Sequence, residues 1–331
     1  MSTILSPAFI NYINDWDDAI EDWKSCCITG QPLSSPLLNC FTTVKYPSMP
    51  KDKDLFFDEI PEPYYLKVSE DGSTDINCVV VDLNPGMSAQ HEGLKYSFNR
   101  NKNRMTLSNY LFGHNCPAYK YSEWQDAFHF TDPSAAGKNA LKSDGWTVTD
   151  LPGYEWWKAK RIEFISRLFK KINVSIKNNG VGSQISGNPK PFAVELCPFH
   201  SKEWKKSKTI VRNDCIDRQI EFATMALDIC RKNQGLRFGL GFGKDFYEKM
   251  LQLGFVEVNK YDHNNVGDAG FCESWPKNQK GDYSNRSFVV LERPQDPSHR
   301  FLVIYYSGGF SAPAEGFDDV ILEILKRNQM I

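Results

Sequence analysis

The residues best suited to chemistry fall in three short stretches, each directly after an apolar run. The first is Asp82-Leu83-Asn84-Pro85-Gly86, which continues through Ser88, His91, Lys95 and Tyr96. The second runs from Glu195 through Cys197, His200 and Ser201 to Lys202 and Lys205. The third is Tyr306-Ser307-Gly308-Gly309-Phe310-Ser311. Asp82 and Glu195, while ionised, accept hydrogen bonds and donate none. The Asn84 amide cannot act as a general base, but its oxygen can orient a water. Ser307, Gly308, Gly309 and Ser311 are small enough to leave backbone N–H groups open to phosphate oxygens.

These stretches need elements to hold them. Cys78 to Val81 and Phe192 to Cys197 are apolar runs of buried-strand type. Leu236 to Leu240, Ser287 to Leu291 and Phe301 to Tyr306 read as further strands. Helices are expected over 8–25, with Ile10, Ile13, Trp16 and Ile20 on one face, and over 156–173, with Ile162, Ile165, Leu168 and Ile172. Another spans 213–232, with Asn213 as N-cap and Ile216, Ile220, Ala223, Leu227 and Cys230 as its stripe. Two more cover 243–254, ending at Gly254, and 316–328, with Phe317, Val320, Ile321, Ile324 and Leu325 apolar. Strands alternating with helices imply one α/β domain over 1–331, with a central, mainly parallel sheet flanked by helices. Residues 1–75 read as an N-terminal extension and 99–155 as a long insertion. Ligands of such sheets bind at the carboxyl ends of the strands, where all three polar stretches fall.

The three stretches together resemble the uracil-DNA glycosylase superfamily. VVVDLNPGMSAQHEGLKYSF is similar to its first motif, a strand running into G-Q-D-P-Y or G-x-N-P-G and then a Q-x-H-G-L-x-F-S-like stretch. ELCPFHS resembles the middle strand, where several branches carry an Asn, and YSGGFSAPAEGF resembles the final H-P-S-P-L-S or N-P-S-G-L-S motif. The motifs come in the family's order and cover about 40 residues, within an α/β pattern over 78–328.

The resemblance implies a glycosylase that flips a base out of DNA into a pocket. Asn84 matches the residue that positions water, or Asn84-Pro85-Gly86 is merely a turn, and the Leu83 backbone N–H would face the base O2. Tyr96 matches the aromatic that stacks on the base, or is an ordinary half-buried Tyr. Gly86 stands where uracil-specific members crowd the pyrimidine C5 with a Tyr; it opens that space, or only supplies a positive φ. Asp82 replaces the family's Gly, as a second catalytic carboxylate or as a turn hydrogen-bonder. Glu195 replaces the Asn that reads uracil. A carboxylate suits the exocyclic amine of cytosine, unless Glu195 pairs with a nearby cation instead. Tyr306 stands near the base O2 position, and its hydroxyl can donate there. Phe310 aligns with the wedge that fills the gap left by the base, or is a core Phe beneath a Gly-rich turn. Ser88, Ser307, Gly308, Gly309 and Ser311 would meet DNA phosphates, and His200 and Ser201 would reach the pocket or a phosphate, or His200 is a structural histidine. Lys202 and Lys205, with Lys206, Lys208, Lys158, Lys160 and Arg161, form a basic rim along a DNA backbone or a solvated face. Lys95 leaves a Schiff-base lyase step open.

Composition narrows the class. Lys and Arg number 39 against 41 Asp and Glu, which argues against a general polyanion binder but not against one basic patch. The nine cysteines, an odd number without a CxxC pair, read as reduced thiols rather than a zinc or iron–sulfur site. No apolar run reaches the ~18 residues of a membrane span, and the start lacks the basic n-region of a signal peptide. A cytoplasmic protein without cofactor, metal or obligate protein partner is expected, with DNA as its partner. GLRFGLGFG, from Gly235 to Gly243, has the wrong glycine spacing for a dinucleotide loop and reads as a strand and turn. The expected activity is release of a 5-modified cytosine, hydroxymethylated or glucosylated, leaving an abasic site, with a role in defence against phage. The alternatives are a uracil-repair glycosylase, a non-catalytic binder of modified DNA on the same fold, and an enzyme acting on a free nucleotide or nucleoside.

Overall fold

The stripe Phe9, Ile13, Trp16, Ile20 and Trp23, spaced by four and three, buries one face of the first long helix. A computed structural model describes residues 2–29, 34–39, 63–66, 69, 71–82, 161–180, 184–185, 187–198, 213–305 and 316–331. Their elements in chain order are β1 (Thr3–Ile4), α1 (Pro7–Thr29), α2 (Pro36–Asn39), β2 (Tyr64–Tyr65), β3 (Ser73–Thr74), β4 (Cys78–Asp82) and α3 (Glu163–Asn179). There follow β5 (Pro191–Glu195), α4 (Asn213–Lys232), β6 (Gly239–Phe242), α5 (Lys244–Gln252), β7 (Val256–Asp262), β8 (Ser287–Arg293), β9 (Asp296–Tyr305) and α6 (Asp318–Arg327). Among the described residues no helix is long and apolar enough to cross a membrane.

The main sheet has seven strands in the order β2-β5-β4-β6-β9-β8-β7. Its centre, β5-β4-β6-β9, is parallel, while β2, β8 and β7 pair antiparallel with their neighbours. The sheet is therefore mixed, which corrects the expectation of a mainly parallel one. Only Pro294 and Gln295 lie between β8 and β9. Such a link closes a hairpin and is too short for the crossover that parallel neighbours require.

Both faces are covered, as expected. On one lie α1, α4 and α5, with Val79, Val81, Phe192 and Val194 turned toward them. On the other lie α3 and α6, with Cys78, Val80, Ala193, Leu240 and Phe242. The stripes expected on the helices at 163–179, 213–232 and 318–327 are all buried. In α1 the stripe is rotated: Ile10 is 38% exposed and Phe9 takes its place in the core. The segment read as an N-terminal extension thus contributes a core helix. The glycine that ends α5 is Gly254, at φ 86, a conformation costly for other residues.

Residues 235–243 form strand β6 and its flanking turns, and their glycines serve packing. A Cβ on Gly239 would overlap the Phe301 ring, and one on Gly241 would overlap the Phe246 ring. Gly241→Ala is expected to lose about 1–3 kcal/mol in urea unfolding, because Phe246 is fully buried and has nowhere to move. A change within experimental error would mean that the α5 packing is loose.

Candidate active site

In chain order the parallel strands run β4, β5, β6, β9, but β4 lies between β5 and β6. The chain therefore changes direction across the sheet beside β4, and the crevice at such a reversal, at the strands' carboxyl ends, is where α/β sheets bind ligands. Asp82 ends β4, Glu195 ends β5 and Phe242 ends β6.

The pleat decides which side chains meet there. Asp82 is in register with Glu195, and Val80 with Ala193 and Leu240. Side chains alternate along a strand, so Asp82, Glu195 and Phe242 share the face covered by α3 and α6. Neighbouring strands lie about 4.8 Å apart, so the two carboxylates stand side by side. Both are buried, at 4% and 5% exposure.

Arg161, immediately before α3, is fully buried at this end of the sheet. Its Nη2 donates to Asp82 Oδ1 at 2.5 Å, and its Nε lies 3.2 Å from both carboxylate oxygens. The guanidinium carbon lies 3.8 Å from the Phe242 ring centroid, a cation–π contact strengthened by burial. This corrects the placement of Arg161 in a basic rim: it faces the core and cannot reach a DNA backbone. The Asp82 partner is an arginine nearly 80 positions away in sequence, a role neither reading of Asp82 contained.

The Glu195 backbone is fixed from the other face. Its N–H donates to the Pro63 carbonyl at 3.0 Å. Gln219 of α4, fully buried, donates Nε2 to the Glu195 carbonyl at 2.7 Å and to Pro63 O at 3.1 Å. Tyr12 of α1 donates its hydroxyl to Gln219 Oε1. Leu196 N–H donates to Asp82 O at 3.0 Å, so β4 and β5 stay paired to the last residue of β4. At the end of β9 Tyr305 stacks on Tyr247, with ring centroids 5.6 Å apart. Burial first, then the hydrogen bond to Glu257, pushes the Tyr247 phenol up to about 12.

The structure thus brings together Asp82 and Glu195 and adds Arg161, Phe242 and Gln219. Leu83, Asn84, Gly86, Ser88, Tyr96, His200, Lys202, Lys205, Tyr306, Ser307, Gly308, Gly309, Phe310 and Ser311 lie outside the described residues. The strands that lead into their stretches, β4, β5 and β9, are parallel and end at one edge of the sheet. Among the described residues no cluster of three or more His, Cys, Asp or Glu is placed to hold a metal ion. Arg161 was missed because its charge suggested solvent. The usable signal was Asp82 at the end of an all-apolar strand, since a carboxylate buried there requires a partner.

Comparison of the chain with protein-family models, with curated proteins and with solved structures found no match.

Proposed function

We propose that this chain is a DNA glycosylase that hydrolyses the N-glycosidic bond of a flipped, 5-modified cytosine. The observation that carries the reading is Asp82 beside Glu195 at the strand edge where the three motif-bearing stretches begin. In this account Asn84 orients a water toward C1′. The new C1′–O bond forms as the C1′–N1 bond breaks, the departing base takes the electron pair, and the water's proton passes to solvent. Tyr96 stacks on the base, Leu83 N–H meets its O2, and Phe310 fills the gap in the duplex. Glu195 accepts from the cytosine amine, and Gly86 leaves room for a hydroxymethyl or glucosyl group at C5. A cytoplasmic role in defence against phage with modified DNA is compatible with such a substrate.

One observation favours a second reading, a binder of modified DNA without turnover. Asp82 is held by Arg161, which removes one candidate for the chemistry and leaves Asn84 to carry it. Replacement of Glu195 tests the specificity in either case. Glu195→Gln gains an amide donor and is expected to shift preference toward uracil-type bases by about 10–100-fold, since one well-made base contact contributes about 1–3 kcal/mol of discrimination. Competitive release or binding assays on paired oligonucleotides read this directly. Unchanged preference would remove Glu195 from the pocket.

A further inference from the structure

A hydrogen-bonded pair of antiparallel strands ordinarily exchanges two bonds, one in each direction. Pro63 faces Glu195 in the register that Tyr64 and Val194 set, and the Glu195 N–H donates to the Pro63 carbonyl at 3.0 Å. Proline has no N–H and cannot return that bond. We infer that Gln219 is a positioning residue for base specificity: its amide replaces the donor that Pro63 lacks and fixes the direction in which β5 presents Glu195 to the base. The inference rests on the glycosylase reading and names what aims its base-reading carboxylate.

The geometry supports it at each step. Gln219 is fully buried beside Ile216 and Ile220 of the apolar stripe on α4. An amide buried there is costly unless it is hydrogen-bonded, and both of its ends are. The nitrogen carries two protons and donates to Glu195 O at 2.7 Å and to Pro63 O at 3.1 Å. The oxygen accepts from the Tyr12 hydroxyl, whose ring stacks on Phe222 with centroids 3.9 Å apart. Gln219 thus ties α1 and α4 to the last residue of β5.

The consequence is a fixed side-chain direction. The peptide before Glu195 is held by its N–H on Pro63 O. The peptide after it is held at the carbonyl by Gln219 and at the Leu196 N–H by Asp82 O, 3.0 Å away. With both peptide planes held, the Cα–Cβ bond of Glu195 keeps the direction that the pleat gives it. A tilt there is amplified at the carboxylate, three bonds further out, and a displacement of about 1 Å at a working group costs up to about 100-fold.

The test compares release of 5-hydroxymethylcytosine and 5-hydroxymethyluracil from otherwise identical duplexes. These bases share the C5 group and differ at the edge that Glu195 reads. In Gln219→Met the preference for the cytosine should fall about tenfold, the lower end of what one base contact contributes. A merely structural role lowers both rates alike and leaves the ratio unchanged. Pro63→Ala puts a backbone N–H opposite the Glu195 carbonyl, so adding it to Gln219→Met should restore most of the native ratio. A folded Gln219→Met protein with the native ratio overturns the inference, and so does a double variant whose ratio stays shifted. If Gln219→Met does not fold, the double variant decides: a native ratio supports the inference, and a shifted ratio or a second failure to fold overturns it. Amide hydrogen exchange at Leu196, measured without DNA, separates this failure from that of the glycosylase reading. Exchange that quickens in Gln219→Met at Leu196 but not at Val80 of the central strand β4, and slows again with Pro63→Ala, supports the pinning even where no base is released. Exchange at Leu196 that is unmoved, or not slowed again, overturns it.

Discussion

Asp82→Ala is expected to destabilise the fold by about 3–5 kcal/mol, the usual cost of removing one partner of a buried ion pair. Arg161 has no exposed surface, so its guanidinium cannot turn to water when the carboxylate is lost. Its stacking on Phe242 holds it in place. The double variant Asp82→Ala/Arg161→Met removes both charges and is expected to recover most of the stability, because the desolvation penalty disappears with them. Urea unfolding of the four proteins in this cycle gives the coupling. A loss below about 1 kcal/mol in the single variant would resemble an exposed pair and would mean that water reaches this end of the sheet.

Asn84→Ala is expected to slow base release by at least about 100-fold, the scale of a misplaced reacting group, while DNA affinity changes little. The distinction matters because Asn84 positions water in this account and contributes little to holding the base. Single-turnover release and equilibrium binding on the same oligonucleotide separate the two. Equal losses in both would make Asn84 a binding residue.

The helices were legible because their apolar stripes follow the 3.6-residue period, and α4 spans the 213–232 read from its sequence. The central strands were legible as short apolar runs. Strand β7 was not: it is an edge strand with Val256 and Val258 exposed at 44% and 39%, and a half-solvated edge has no apolar run to betray it. The polar first half of β9, from Asp296 to Arg300, escaped for the same reason. Strand direction was misjudged because the expected strands left nine residues between Leu291 and Phe301, whereas β8 and β9 extend to leave only two. At the site, Asp82 and Glu195 were visible as carboxylates ending apolar strands. Arg161 and Gln219 were not, because each acts through a partner distant in sequence that only the folded sheet brings near.

The most direct measurement is base release by the purified protein from labelled duplexes carrying uracil, cytosine, 5-hydroxymethylcytosine or its glucosylated form, with alkali revealing abasic sites. The account predicts abasic sites at a modified cytosine, none at unmodified cytosine, and their loss in Asn84→Ala. Abasic sites at uracil alone would contradict the specificity assigned to Glu195 and Gly86. Intact DNA with every substrate would contradict the glycosylase itself.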